Sequence, residues 1–144
     1  MISTFWLVLG YACNNRCWHC YAAPSGFSRK WMDTVFAKEV MSTMKTGDAK
    51  TCLLIGGEPT LYPHLIEIVS FGSKIELKMV IVSNGRRLKN KDFAIRLFQN
   101  GLDRAVISLE GANTETHNAA TGRRSFNETV QAFRTVPKLD KSTL

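Results

Sequence analysis

Nowhere in the 144 residues is there an apolar run near the ~18 residues that a bilayer-spanning helix requires. The first stretch, MISTFWLVLG, has no basic flank, and its apolar run is short for a secretory leader. These absences predict a cytoplasmic chain with no membrane partner. Cysteine is scarce: there are four, and three of them crowd into residues 13–20. That spacing excludes a conventional disulfide framework. In a reducing compartment it points to metal ligation or redox chemistry. Low-complexity tracts and linkers are lacking, so residues 1–144 read as a single domain with enough length for a core. Negative charge is under-supplied, 12 acidic residues against 19 basic, for a net +7. The basic residues are scattered, with only short pairs such as Arg86-Arg87 and Arg123-Arg124. No basic stripe interleaved with aromatics argues for nucleic-acid binding, so a solvated basic surface is the expectation.

What is present alternates. Short apolar runs at 5–9, 51–55, 77–83 and 103–109 read as strands. Each is followed by a helical pattern. The first covers 27–47, with Met32, Val35, Phe36, Val40, Met41 and Met44 near helical spacing and Gly47 as the stop. The next two cover 64–72 and 91–101. The last begins with the capping-box sequence Ser125-Phe126-Asn127-Glu128 and stops before Pro137. Strands apolar on both faces, each followed by a helix, predict an α/β fold: a parallel sheet of four β-α units with right-handed crossovers.

Ligands of such folds gather at the carboxyl ends of the strands. Each predicted strand here is followed by polar or glycine-rich chemistry: CNNRCWHCYA (13–22), GGEPTLYP (56–63), SNG (83–85) and SLEG (108–111). Cys13, Cys17 and Cys20 stand as C-x3-C-x2-C. A [4Fe-4S] cluster is normally held by four thiolates, so three would leave one iron open to a substrate or cofactor. A zinc knuckle completed by His19 or Cys52 is the alternative. His19 adjoins Cys20, which makes joint ligation awkward, and Cys52 begins a buried strand. Gly56 and Gly57 let backbone approach a ligand, and Glu58 could accept from an ammonium group. Ser83, Asn84, Ser108 and Glu110 could each be ordinary turn residues. It is their convergence on one face that suggests a site.

Taken together, these four motifs resemble the radical S-adenosylmethionine (radical SAM) superfamily, over residues 5–136. The resemblance implies part of a partial (β/α)6 TIM-like barrel. It implies a [4Fe-4S] cluster on Cys13, Cys17 and Cys20 whose open iron binds S-adenosylmethionine (SAM). Tyr21 would lie near the adenine. Gly56, Gly57 and Glu58, followed by Pro59, would meet the methionine amino group. Ser108 would contact SAM, with Ser83, Asn84 and Glu110 beside it. Reductive cleavage of SAM would give a 5′-deoxyadenosyl radical that abstracts hydrogen from a small-molecule or peptide substrate. The electron would come from a donor such as flavodoxin or ferredoxin.

Three departures qualify this resemblance. Glu110 stands where aspartate is usual. Thr121 precedes Gly122 where many relatives carry arginine, leaving Arg123 or Arg124 to replace a carboxylate contact. Only four of six β-α units are evident, so the expectation is an incomplete core domain with an apolar, unpaired fourth strand. Such an edge invites self-association or a second chain. A cluster- and SAM-binding remnant without turnover is the alternative function.

Overall fold

A computed structural model describes residues 3–136. Four strands, β1 (Thr4–Val8), β2 (Thr51–Ile55), β3 (Lys78–Ser83) and β4 (Leu102–Ile107), form one parallel sheet in the order β1-β2-β3-β4. The connecting helices are α1 (Thr34–Thr46), α2 (Leu65–Lys74) and α3 (Lys91–Gln99), and α4 (Thr114–Thr121) and α5 (Phe126–Thr135) follow β4.

The period of two along each strand divides the sheet into two faces. Phe5, Cys52, Met79 and Leu102 form one register row, and Leu7, Leu54 and Ile81 a second. These side chains are all buried, packed with Met41, Ile68 and Leu97 from the helices. The opposite face carries Trp6, Leu53, Val80 and Arg104 in one row. That face is open at its two edge strands, where Trp6 is 70% exposed and Val106 40%, whereas Val80 between them is buried. Among the described residues β4 pairs only with β3, so it is an edge, but its exposed positions alternate Arg104 with Val106 rather than being uniformly apolar.

Several element boundaries differ from the sequence expectation. The first helix begins at Thr34, not at residue 27. Asp33 caps it by accepting from the Val35 and Phe36 N–H groups at 2.9 and 3.0 Å. The preceding segment instead returns along the end of β1, with Met32 N–H donating to Leu9 O at 2.8 Å. Met32 meets the core from that segment, which is why it mimicked helical spacing. Helix α4 was not expected at all. Asn113 and Thr116 form its capping box, whereas the Ser125 hydroxyl makes no cap for α5. That hydroxyl is drawn to His117 and Thr121 instead, and Asn118 Oδ1 accepts from the Ser125 and Phe126 N–H groups. Pro137, expected to end the last helix, lies outside the described residues.

Candidate functional site

The carboxyl ends of the four strands open into a cavity of about 500 Å³. Its floor is the upper part of the open sheet face, Trp6, Leu53, Ile55 and Val82, and its rim is polar. Of the residues expected from sequence, Cys13, Cys17, Cys20, Tyr21, Gly56, Gly57, Ser83, Asn84, Ser108 and Glu110 all line it. Glu58 and Pro59 do not; both are buried behind the wall.

The cysteine loop is held chiefly through its backbone. On the β2 side, Gly57 N–H donates to Gly10 O at 2.9 Å and Glu58 N–H to Ala12 O at 2.8 Å. The approach is close enough that a Cβ on Gly57 would meet Tyr11 O at 2.3 Å. On the α4 side, Arg16 N–H donates to Thr121 O at 2.8 Å. Gly122, at φ 60°, ends α4 against Arg16 O. On the β3 side, Arg86 Nη1 donates to Asn14 O at 2.5 Å, and Asn84 Nδ2 to Asn14 Oδ1 at 2.7 Å. Arg86 in turn shares the Glu128 carboxylate of α5 with Lys89. Against the upward pull of burial, their hydrogen bonds hold the Glu128 pKa below its ordinary value.

Glu58 joins two loops rather than facing the cavity. Its Oε1 accepts from Thr60 N–H, the Thr60 hydroxyl and the Ser83 hydroxyl, and its Oε2 accepts from Asn84 N–H at 2.7 Å. Burial pushes its pKa up, opposed by those four donors. The part of GGEP that reaches the cavity is therefore the Gly56 and Gly57 backbone, and the Tyr21 hydroxyl donates to Gly56 O at 2.9 Å.

His117, 1% exposed, fixes the SLEG segment. Its Nδ1 accepts from Glu110 N–H at 3.2 Å, so the ring proton sits on Nε2 and goes to the Ser125 hydroxyl at 3.1 Å. Ser125 meets Thr121 at 3.1 Å, and the Thr121 hydroxyl donates to Arg123 O. Burial lowers the His117 pKa, with Glu110 pulling the other way. Neither Arg123 nor Arg124 lines the cavity, whereas Thr121 does. Among the described residues no lysine or arginine lines the wall; its charged group is Glu110, 3.4 Å from His19 Nε2.

Cys13, Cys17 and Cys20 are unpaired and share the cavity, but among the described residues no three His, Cys, Asp or Glu side chains are placed to hold a single ion. Cys52 faces the helix side of β2, fully buried, its pKa pushed by burial to about 12. His19 is turned to Glu110. Three unpaired thiols on one cavity wall are the donor set of a [4Fe-4S] cluster with one iron left without a protein thiolate. Asn15 N–H points at Cys13 Sγ at 3.3 Å and Ala22 N–H at Cys20 Sγ at 3.4 Å, the kind of hydrogen bond that tunes cluster thiolates. Burial, and then the neighbouring Cys13 and Cys20, raises Cys17 to about 11.

Sequence reasoning gave no site role to Asn15, Arg86, Glu128 or the His117–Ser125 pair. The SFNE signal drew notice to Ser125 and Glu128, but as a helix cap.

Residues 7–143 match the family model of the Radical SAM superfamily. The chain is 30% identical over 130 residues to the AdoMet-dependent heme synthase of Methanosarcina barkeri, covering 89% of this chain and 37% of that protein. It is 28% identical over 125 residues to the mycofactocin maturase MftC of Mycolicibacterium smegmatis, covering 87% and 32% respectively. Among solved structures, Streptococcus suis SuiB bound to S-adenosylmethionine superposes with a TM-score of 0.78 at 14% identity, over 96% of this chain and 30% of that one. The chain spans about a third of the length of these curated relatives. The structural likeness establishes the fold: the parallel sheet corresponds to β-α units of a TIM-like barrel.

Proposed function

Because the chain belongs to the radical SAM superfamily, whose members bind a [4Fe-4S] cluster and SAM, we propose that Cys13, Cys17 and Cys20 hold such a cluster with one iron left for SAM. The observation that carries this is the meeting of those three thiols with the Gly56–Gly57 backbone, Ser83, Asn84, Ser108 and Glu110 around one cavity. When reduced, the bound cluster supplies one-electron cleavage of SAM to methionine and a 5′-deoxyadenosyl radical. The chain's own residues bind, orient and exclude water. Gly56 and Gly57 present backbone groups to the methionine end of SAM. Glu58 and Pro59 act from behind: Glu58 locks the Ser83–Asn84 turn to the GGEP loop. Tyr21 lies at the adenine side. Glu110, on a wall without lysine or arginine, suits a sulfonium cation. The apolar floor from Trp6 to Val82 forms the substrate side, for a small molecule or a peptide. An electron donor such as flavodoxin or ferredoxin and a cytoplasmic setting complete the proposal. Among the described residues no helix is long and apolar enough to cross a membrane.

A second reading is cluster and SAM binding without turnover until the open sheet face is covered, by a further segment, another copy or a second chain at the β4 edge. The 70% exposure of Trp6 favours it. Anaerobic reconstitution separates these readings. We expect an EPR signal of a reduced [4Fe-4S] cluster that changes on adding SAM and is lost in Cys17→Ala. Deoxyadenosine formation then distinguishes turnover from binding alone. Stoichiometric zinc without iron would defeat both.

A further inference from the structure

Resting on that reading, we propose that the outer side of the cysteine loop, centred on Trp18 and flanked by Arg16, Arg86, Lys89, Arg123 and Arg124, is the docking surface for an acidic one-electron carrier protein.

The loop has two sides. Cys13, Cys17, His19 and Cys20 line the cavity, whereas Arg16 and Trp18, which lie between them in sequence, do not. Trp18 is 80% exposed, more than any other large hydrophobic side chain among the described residues. It is not on a loose segment, since Trp18 N–H reaches Ala120 O at 3.4 Å and the neighbouring Arg16 N–H is tied to Thr121 O. Tryptophan and arginine are the residues that most often anchor protein interfaces.

Charge dispersed in sequence converges here. Arg16 Nη1 donates to Cys13 O and Asn15 O, both at 2.7 Å, and its guanidinium lies 4.4 Å from the centre of the Phe27 ring. Arg86 grips the same loop through Asn14 O, and Lys89 stands beside it on the shared Glu128. Arg123 and Arg124 are exposed and follow Gly122, which abuts Arg16. Five cations lie around the loop with two carboxylates, Glu128 between Arg86 and Lys89 and Glu110 on the cavity side against His19. Part of the net positive charge thus lies around the thiol loop.

Redox encounters use small, transient interfaces steered by charge. Electron transfer also requires the carrier to come close to the acceptor, and Trp18 is bonded to Cys17. A rim set around a redox-capable loop favours an acidic redox protein over a nucleic acid. In the step itself the carrier is oxidised by one electron and the cluster reduced by one, with no atom transferred.

The test measures binding of fluorescently labelled, oxidised flavodoxin, an acidic flavin protein, to the cluster-loaded chain as salt is raised. Affinity should fall steeply with salt. The double variant R123E/R124E should weaken low-salt binding about tenfold or more, and W18A should weaken it as well. Both variants should keep the EPR signal produced by dithionite, a small reductant that needs no docking. Salt-independent binding, or binding indifferent to both variants, overturns the proposal. So does preferential binding of single-stranded RNA through the same residues. A normal dithionite signal without flavodoxin binding sinks the docking surface alone. Failure to form any cluster sinks the functional reading and this proposal with it.

Discussion

Replacing Gly57 by alanine probes the joint between the cysteine loop and the GGEP loop without touching a thiol. A Cβ there would lie 2.3 Å from Tyr11 O, 2.5 Å from Ala12 O and 2.6 Å from Tyr11 C. All three are backbone atoms, so no rotamer change relieves the clash. Ordinary non-bonded contact begins near ~3.5 Å, so the loops must part by about 1 Å. That movement strains the Gly57–Gly10 and Glu58–Ala12 hydrogen bonds, now 2.9 and 2.8 Å. Overpacking costs about 1–3 kcal/mol and each hydrogen bond is worth about 1 kcal/mol, so a loss of about 3 kcal/mol is expected. With a urea slope of about 2 kcal/mol per molar, the unfolding midpoint of the metal-free chain should fall by about 1.5 M. Iron content after anaerobic reconstitution should fall with it, because the displaced segment carries Cys13. The matched control is Gly47→Ala at the end of α1, where the nearest atoms are at 3.5 and 3.7 Å and φ is −78°. It should shift stability by less than about 0.5 kcal/mol. A G57A chain that unfolds within about 0.2 M of the parent and loads iron fully would refute the described contact between the loops.

Three further outcomes follow from the same geometry. Glu58→Gln should cost about 1–3 kcal/mol, because an amide NH2 at either oxygen position faces a backbone donor, Thr60 N–H or Asn84 N–H, that cannot rotate away; unchanged urea stability would mean that the carboxyl is held protonated. His117 is buried with its pKa lowered. Its neutral form therefore contributes stability that is fully present above the unfolded value of about 6.5 and is lost as pH falls through the lower folded value. The stability difference between parent and His117→Gln should accordingly shrink on going from about pH 7.5 to about pH 5, and a constant difference would refute the assignment. Cys52→Ala should load iron as fully as the parent, whereas Cys17→Ala should not; equal losses would return Cys52 to the metal site.

The strands and the motifs at their ends were legible in the sequence because both depend on local pattern. Apolar runs bounded by glycine or asparagine mark a buried parallel strand whatever surrounds them, and SNG or GGEP announces its own turn. The beginning of α1 was not legible, because Met32 meets the core from an extended segment and periodicity cannot tell that from a helical face. Helix α4 escaped because Thr114–Thr121 holds only alanine among its apolar residues, with His117 and Thr121 its buried side chains. Ser125 followed by Glu128 was a sound capping signal, overridden by tertiary partners: the hydroxyl is worth more to buried His117 than to its own helix. Arg86 carried no signal, since a turn arginine of a net-positive chain looks like any other until Asn14, Asn15 and Glu128 are brought to it.

The manner in which the cysteine loop is held explains why its own side chains are available. Gly10 O, Ala12 O, Cys13 O and Asn14 O accept from Gly57, Glu58, Arg16 and Arg86. Position is thus set by carbonyls, and the thiols are left to the cavity with amide donors at two of the three sulfurs. The same division accounts for Thr121. Its carbonyl takes Arg16 N–H and its hydroxyl donates to Arg123 O in the chain from His117, while the residue itself is 1% exposed. An arginine at 121 would give up the hydroxyl's place in that chain to bring a guanidinium to the cavity. The Thr121 carbonyl fastens α4 to the cysteine loop, and Arg123 and Arg124, in the turn that follows, are exposed and off the cavity wall. A cavity without cations and a loop exterior rich in them are two results of one local arrangement.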